Sequence, residues 1–333
     1  MEMTSLKIRS SISVSTEPRK SAGKLATWLG KYGTVLALVL LVAYFQINAA
    51  GFLNSGNIAA ILGQAAVLML LAGGLTLVLV LGLFDLSVGW VASMAGMICT
   101  GLMSEHHVSL PLAVLVALLA GAVVGLVNGV LVTVFRINAL LATLATGSLV
   151  SGFLTWYSIT PFSTGLSNDF LNFGFKRWGW LPAPALASAV VCFVAWVILQ
   201  HTASGRNMYA VGGSAEAARI AGVNVRRITI GAFVACSVMA AAGGIVLAAQ
   251  LGSGQPQSAV GLLLETFAAA FLGSATWREG QFHLAGTAVG VLILGVVFSG
   301  LGIMNTPAWL NQVITGLILI AAVGLSSLVR PKH

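Results

Sequence analysis

His106 to Phe135 reads HHVSLPLAVLVALLAGAVVGLVNGVLVTVF, thirty residues without one Asp, Glu, Lys or Arg. A bilayer core takes about 20 apolar residues as one α-helix, so this stretch is long enough to cross a membrane by itself, and a helix near 109 to 134 is expected. Further uncharged runs occupy 32 to 84, 86 to 104, 137 to 168, 178 to 205, 228 to 264 and 280 to 329. The runs at 32 to 84 and 280 to 329 are too long for one pass each. Their polar breaks, at Asn48 to Asn57 and at Asn305 to Pro307, supply the turns.

Divided this way, the chain is an all-α polytopic membrane protein with ten helices. They are expected near 32 to 48, 58 to 81, 86 to 104, 109 to 134, 138 to 158, 184 to 200, 228 to 250, 262 to 277, 283 to 303 and 308 to 328. The segment at 262 to 277 is short for a full pass at about 1.5 Å per residue, which suggests a broken or tilted span. A closed β-barrel would show alternating rather than continuous apolarity. Composition excludes a soluble domain: 58% of residues are hydrophobic and 7% charged, against about 25% charged in an ordinary globular protein.

Orientation follows from the basic residues. With ten passes both termini share a side, and of the 16 lysines and arginines only Lys176 and Arg177 fall opposite. The positive-inside rule therefore puts both termini in the cytoplasm, and the net charge of +8 reflects topology rather than nucleic-acid binding. Residues 1–31 form a basic cytoplasmic tail, read as part of an uncleaved anchor because the charged region is too long for a signal peptide. A single transmembrane unit is expected at 32–329 and a cytoplasmic end at 330–333. Cys99, Cys192 and Cys236 lie inside apolar spans without motif spacing, as buried inert thiols do.

Nothing in the chain suggests an enzyme. No serine, histidine and acid arrangement appears, and His106 with His107 beside Glu105 is a poor metal site because adjacent helical residues diverge. The Gly-Lys pair Gly23-Lys24 is followed by Leu25 and lacks the upstream glycine of a phosphate-binding loop. Intramembrane ionisable groups are also few. Glu265 is expected near the external start of a helix, where the dipole favours it. Asp85, in the break before the third helix with Ser87, reads as a helix cap or as a gating residue.

The largest cytoplasmic loop, 201–227, contains Gly212 and Gly213 as a flexible lead-in. Ser214 can then cap a short helix from Ala215 to Ala221, which Gly222 can end in the left-handed conformation. Glu216 in its first turn and Arg219 in its last both suit the dipole. An isolated helix this short needs docking to persist, and its small Ala-rich surface (Ala215, Ala217, Ala218), with Ile220, would admit a partner closely.

The stretch Gly205-Arg206-Asn207-Met208-Tyr209-Ala210-Val211-Gly212-Gly213-Ser214-Ala215-Glu216-Ala217-Ala218-Arg219-Ile220-Ala221-Gly222-Val223 resembles the cytoplasmic coupling loop of the ribose, arabinose and xylose permease family of ABC importers. Phe84-Asp85-Leu86-Ser87-Val88-Gly89, Ile137 to Gly147, and Ser253-Gly254-Gln255-Pro256 at an external turn resemble the same family in order and position. The stretch Leu272 to Phe282 departs from it, where many relatives are richer in glycine. The resemblance implies a second permease copy, identical or paralogous, two cytoplasmic ABC ATPase subunits carrying ATP and Mg, and a periplasmic or lipid-anchored sugar-binding protein. No cofactor is expected on this chain. It also implies an inverted repeat of helices 2–5 and 7–10, and ATPase coupling through Gly213 to Arg219 and Gly222.

An ion-coupled secondary carrier and an intramembrane enzyme are the alternatives from other classes. ABC permeases for nucleosides or branched-chain amino acids are the nearer competitors. Neutral polar groups in the spans favour a small neutral sugar. Asn128 and Asn138 near the cytoplasmic end, Thr143 and Thr146 deeper in the fifth helix, and Gln250 and Gln255 toward the outside can replace water around hydroxyls. Helix packing is the other reading for each.

Overall fold

The computed structural model describes residues 24–276 and 280–329. The basic tail through residue 23, Trp277 to Glu279 within the divergent stretch, and the 330–333 end lie outside the described residues. Among those described are thirteen α-helices: α1 (Lys24–Asn48), α2 (Ser55–Val80), α3 (Val88–Ser104), α4 (Leu110–Thr133), α5 (Ala139–Tyr157), α6 (Asn168–Phe175), α7 (Ala183–His201), α8 (Ala203–Gly213), α9 (Ala215–Ile220), α10 (Val225–Leu251), α11 (Leu263–Ser274), α12 (Leu284–Ile303) and α13 (Ala308–Val329). Arg177–Trp178 and Leu181–Pro182 form a two-stranded antiparallel ribbon.

The all-α polytopic class expected from the sequence is what the structure shows. Six helices, α2, α4, α5, α7, α10 and α12, are long and apolar enough to cross a membrane. The shorter apolar helices Tyr32–Asn48, Val88–Ser104, Val260–Ser274 and Trp309–Ala322 occupy the other four expected positions. Sequence periodicity gave no sign of α6 or α8.

Two helices that are apolar on every side organise the bundle. α10 packs on α2, α3 and α4, while α2 packs on α10, α11 and α12. Each central helix thus leans on the followers of the other, and each leads through a non-helical break into a shorter helix, α3 or α11. This reciprocal order is the arrangement an inverted repeat of α2–α5 and α10–α13 produces.

Small residues set how closely the helices approach. Along α4 the buried stripe is Ala113, Ala117, Gly121, Gly125 and Gly129, spaced so that all lie on one face. A Cβ at Gly125 would stand 2.5 Å from the Phe233 carbonyl of α10, and one at Gly129 would be 2.8 Å from the Ile230 Cα. The helices can touch backbone to backbone only because those side chains are missing. On its other face α4 exposes Leu112, Leu115, Leu119, Val123 and Leu126, an apolar exterior that suits lipid. On the opposite side of the bundle, Thr76 of α2 and Thr287 of α12 share a hydrogen bond of 2.7 Å.

The expectation of a broken span near 262 to 277 is met. Gly254 exchanges both backbone hydrogen bonds with Phe162 at 3.0 Å, which keeps the Ser253 to Pro256 turn beside the loop after α5. The chain then descends along α3: the Ala259 amide donates to Ser93 Oγ at 3.0 Å, and Val260 Cα would be 3.1 Å from a Cβ on Gly89. Gly89 lies 15 residues before the outer end of α3, about 22 Å along the helix. α11 therefore begins deep in the bundle, and Glu265 in its first turn is not at an external helix start as the sequence suggested.

The loop after α5 and the tip of α9 are both exposed and lie at opposite ends of the bundle. With the native cysteines removed, Thr164→Cys is expected to react with a membrane-impermeant maleimide added to intact cells, whereas Ala221→Cys should react only after the inner face is opened. Labelling of position 221 from outside would invert the topology.

Candidate coupling and gating site

Local capping chemistry builds α9. Ser214 Oγ accepts the Ala217 amide at 3.2 Å, and Gly222 adopts φ +85°. With Gly222 so placed, its own amide reaches the Arg219 carbonyl and the Val223 amide reaches the Ala218 carbonyl, both at 3.0 Å, the paired bonds of a Schellman ending. Glu216 and Arg219 pair at 2.7 Å on the exposed face; a surface pair of this kind adds little stability. Ala218 is buried, while Ala215, Ala217 and Ile220 are exposed. Ile220 is 80% exposed, so α9 presents an apolar tip away from the bundle.

Gly212 and Gly213 are not a flexible lead-in. They close α8, whose start is capped by Thr202 Oγ1 accepting from the Gly205 amide at 3.4 Å. A Cβ on Gly212 would collide with the Val80 carbonyl at the end of α2. Glycine serves here for close approach, not for freedom.

The second site is the break at 81–87, between α2 and α3. Asp85 Oδ1 accepts from the Ser87 amide at 2.8 Å and from Ser87 Oγ at 2.6 Å. This is an Asx-type turn, one residue ahead of α3, and it corrects the reading of Asp85 as the cap of that helix: Ser87 holds the cap position and makes no side-chain capping bond. Asn128 Nδ2 on α4 donates to Ser87 Oγ at 2.9 Å, and Thr146 Oγ1 on α5 donates to Asn128 Oδ1 at 2.6 Å. Thr143 Oγ1 accepts the Leu86 amide at 3.0 Å while donating to the Ala139 carbonyl. Asp85 Oδ2 has no hydrogen-bond partner among the described residues; the buried Cys236 thiol of α10 stands beside the carboxyl.

Five residues that the sequence offered separately, Asp85, Ser87, Asn128, Thr143 and Thr146, thus form one network tying the break to α4 and α5. All five are buried, so in this conformation they close the structure rather than line an open passage. The other three polar candidates lie elsewhere. Asn138 caps α5 by accepting from Leu140, Gln250 Nε2 donates to the Gly63 carbonyl at 2.8 Å, and Gln255 Nε2 donates to Ser253 Oγ at 3.3 Å.

Sequence reading passed over one feature, the packing of Phe84, and misplaced another, Glu265. Phe84 stacks near Phe267 and Phe271 of α11, at 6.2 and 6.4 Å between ring centres, packing the two half-helix regions together. Glu265 is half-buried beside exposed Leu264, a carboxylate at depth. A signal was present in both cases, an aromatic at each break and an acid in an apolar run. Neither could be placed without knowing how far 252–262 descends.

A bundle of central helices with non-helical breaks at depth, carrying a short capped helix outside it, is the architecture of a multi-pass transport permease. Residues 57–323 match the family described as branched-chain amino acid transport system / permease component, and the chain belongs to that family. The ribose import permease protein RbsC of Escherichia coli (strain K12) is 33% identical over 300 residues, covering 89% of this chain and 93% of that protein. The L-arabinose ABC transporter permease protein AraH of Azospirillum brasilense is 33% identical over 307 residues, 92% of this chain and 90% of its own. The D-allose transport system permease protein AlsC of Escherichia coli (strain K12) is 29% identical over 311 residues, 93% and 95% respectively. No solved structure matches. The resemblance to sugar permeases read from four motifs therefore extends over most of the chain.

Removing Asn128 takes one hydrogen bond from each of two buried hydroxyls, Ser87 Oγ and Thr146 Oγ1, which among the described residues keep only their bonds to Asp85 and to the Thr143 carbonyl. Asn128→Leu should lower stability by about 1–3 kcal/mol, seen as a lower thermal midpoint of the purified protein in detergent. Thr146→Val should cost less, and the double variant less than the sum of the two, because both changes break one shared bond.

Proposed function

We propose that this permease is the membrane subunit of an ATP-driven importer that carries a small neutral sugar of the pentose or hexose class into the cytoplasm by alternating access. The observation that carries this reading is about one-third identity, spread along nearly the whole chain, to permeases named for ribose and arabinose. The chain makes ten passes of the bacterial inner membrane with both termini in the cytoplasm, a topology supported by the asymmetry of its basic residues. Its partners are a second permease copy, identical or paralogous, cytoplasmic ABC ATPase subunits that hold ATP and Mg, and a periplasmic or lipid-anchored sugar-binding protein.

In this reading α9 is the element the ATPase pushes. Its apolar tip at Ile220 enters a recess on the partner, and its cap and Schellman ending hold two turns of helix rigid enough to bear load. The buried network around Asp85 and Asn128 is a cytoplasmic lock, closed when α5 is drawn against the break. Cargo selectivity follows from charge. An ion crossing a low-dielectric interior needs fixed counter-charges, and this bundle offers hydroxyls, amides and one half-exposed carboxylate at depth, Glu265. Such groups accept and donate to sugar hydroxyls without demanding a charged ligand.

The test is reconstitution with the ATPase and binding-protein partners in proteoliposomes, supplying labelled sugars, nucleosides and branched-chain amino acids in parallel. ATP-dependent sugar uptake insensitive to proton and sodium gradients is expected; uptake of an amino acid with none of any sugar would overturn the cargo. In the same system Glu216→Lys reverses charge at the start of α9, and Gly222→Val forces a β-branched residue to positive φ. Each should lower uptake by more than about tenfold, a barrier change of ~1.4 kcal/mol, while ATP hydrolysis continues uncoupled. Normal uptake in both variants would remove the coupling role from α9.

A further inference from the structure

α8 lies in the stretch that resembles a coupling loop and ends at Gly213, and it packs on more of the bundle than α9 does. One residue, Ser214, separates the two helices, so a displacement of α9 moves the end of α8 with it. From α8, two separate contacts run to the break at 81–87.

The first begins at Tyr209. Its hydroxyl donates to the Phe282 carbonyl at 3.1 Å and accepts from Gln200 Nε2 at 3.1 Å, which places it across the gap between α7 and the start of α12. The Phe282 ring is buried and meets Phe271 edge-on, 5.1 Å between centres at 84°. Phe271 in turn lies against Phe84 at 6.4 Å. Phe84 precedes Asp85, whose carboxyl anchors the network to α4 and α5.

The second contact is Gly212, whose missing side chain lets α8 rest on the Val80 carbonyl and beside Leu81, the last residues of α2 before the break. Gly82, the next residue, holds φ +73° with open space around its Cβ position, so the chain can pivot there. One short helix therefore bears on the break from both sides, through packed rings on one and backbone contact on the other.

We infer that α8 is the lever that converts movement of α9 into opening of the 81–87 break, with Tyr209 and Gly212 as its positioning residues. The inference rests on the coupling role of α9. Its physical basis is that packed aromatic rings and touching backbones compress little, so a displacement of α8 is passed on rather than absorbed. The element it biases has two discrete arrangements, network closed or network broken, and that is what energetic coupling between distant sites requires. When α8 shifts, Phe84 and Val80 are displaced relative to each other, Ser87 leaves Asn128 and the Leu86 amide leaves Thr143, and α5 is released from the break.

The test uses the full complex with its ATPase and binding protein in proteoliposomes. Tyr209→Phe keeps the ring and removes one hydroxyl; Gly212→Val wedges α8 off α2. For Tyr209→Phe, which removes both the bond to the Phe282 carbonyl and the one from Gln200, the maximal uptake rate should fall at least about fivefold, the factor one neutral hydrogen bond is worth. The sugar KM should stay within about twofold, since the binding protein sets it, and sugar moved per ATP should drop. Adding Phe271→Leu to Tyr209→Phe should lower uptake little beyond Phe271→Leu alone, because both act in one chain of contacts.

Spin labels at Ala215→Cys on α9 and Ser148→Cys on α5, each paired with a reference at Val190→Cys on α7, separate the steps. In the wild type ATP should shift both distances; in the variants it should shift α9 and leave α5 in place. A wild-type α9 that ignores ATP would overturn the coupling role and the lever with it. A normal α5 response and normal sugar per ATP in both variants would overturn the lever alone.

Discussion

Non-helical backbone inside a membrane must find its hydrogen bonds within the protein, since lipid supplies none. The described residues leave regular helix inside the packed bundle at 81–87 and at 252–262, and much of the packing satisfies those stretches. The Ser87 amide is held by Asp85, the Leu86 amide by Thr143, and the Ala259 amide by Ser93. Each answer comes from a polar side chain whose presence in an apolar span would otherwise be costly. The breaks and the buried polar residues are thus one feature seen from two sides.

The same requirement explains how the bundle is packed. A break can be covered only if neighbouring helices come close, and close approach depends on the small residues of α3, α4, α10 and α12. Gly96 of α3 and Gly244 of α10 lie against the opposing backbones, as Gly286 and Gly290 of α12 do against α11. Because α2 leans on α11 and α12 while α10 leans on α3 and α4, neither half of the repeat closes without the other.

A network of this type also favours two states over a continuum. With Asn128 joined to both Ser87 and Thr146, parting one contact leaves the amide half-satisfied in a dry environment, and the penalty falls on the whole set. α9 is built in the opposite way: it is short and largely exposed, shaped by its own caps and docked through the buried Ala218, while its surface ion pair adds little.

The sequence by itself determined the class, the principal helices and α9. Long uncharged runs have one solution in lipid, and capping is local chemistry: Ser214, Glu216, Arg219 and Gly222 carry their instructions within nine residues. It also singled out Asp85, Ser87, Asn128, Thr143 and Thr146, which the structure brings together, along with Asn138, Gln250 and Gln255, which it does not. What it left open is which of them answer one another, since 41 residues separate Asn128 from Ser87 and no local rule spans that distance. Only the tertiary structure decided that Gly212 is a contact rather than a hinge, that Glu265 lies deep rather than at the surface, and that Tyr209 reaches Phe282. In each case the deciding quantity is how far one segment descends beside another, a long-range packing result on which local propensity has no bearing.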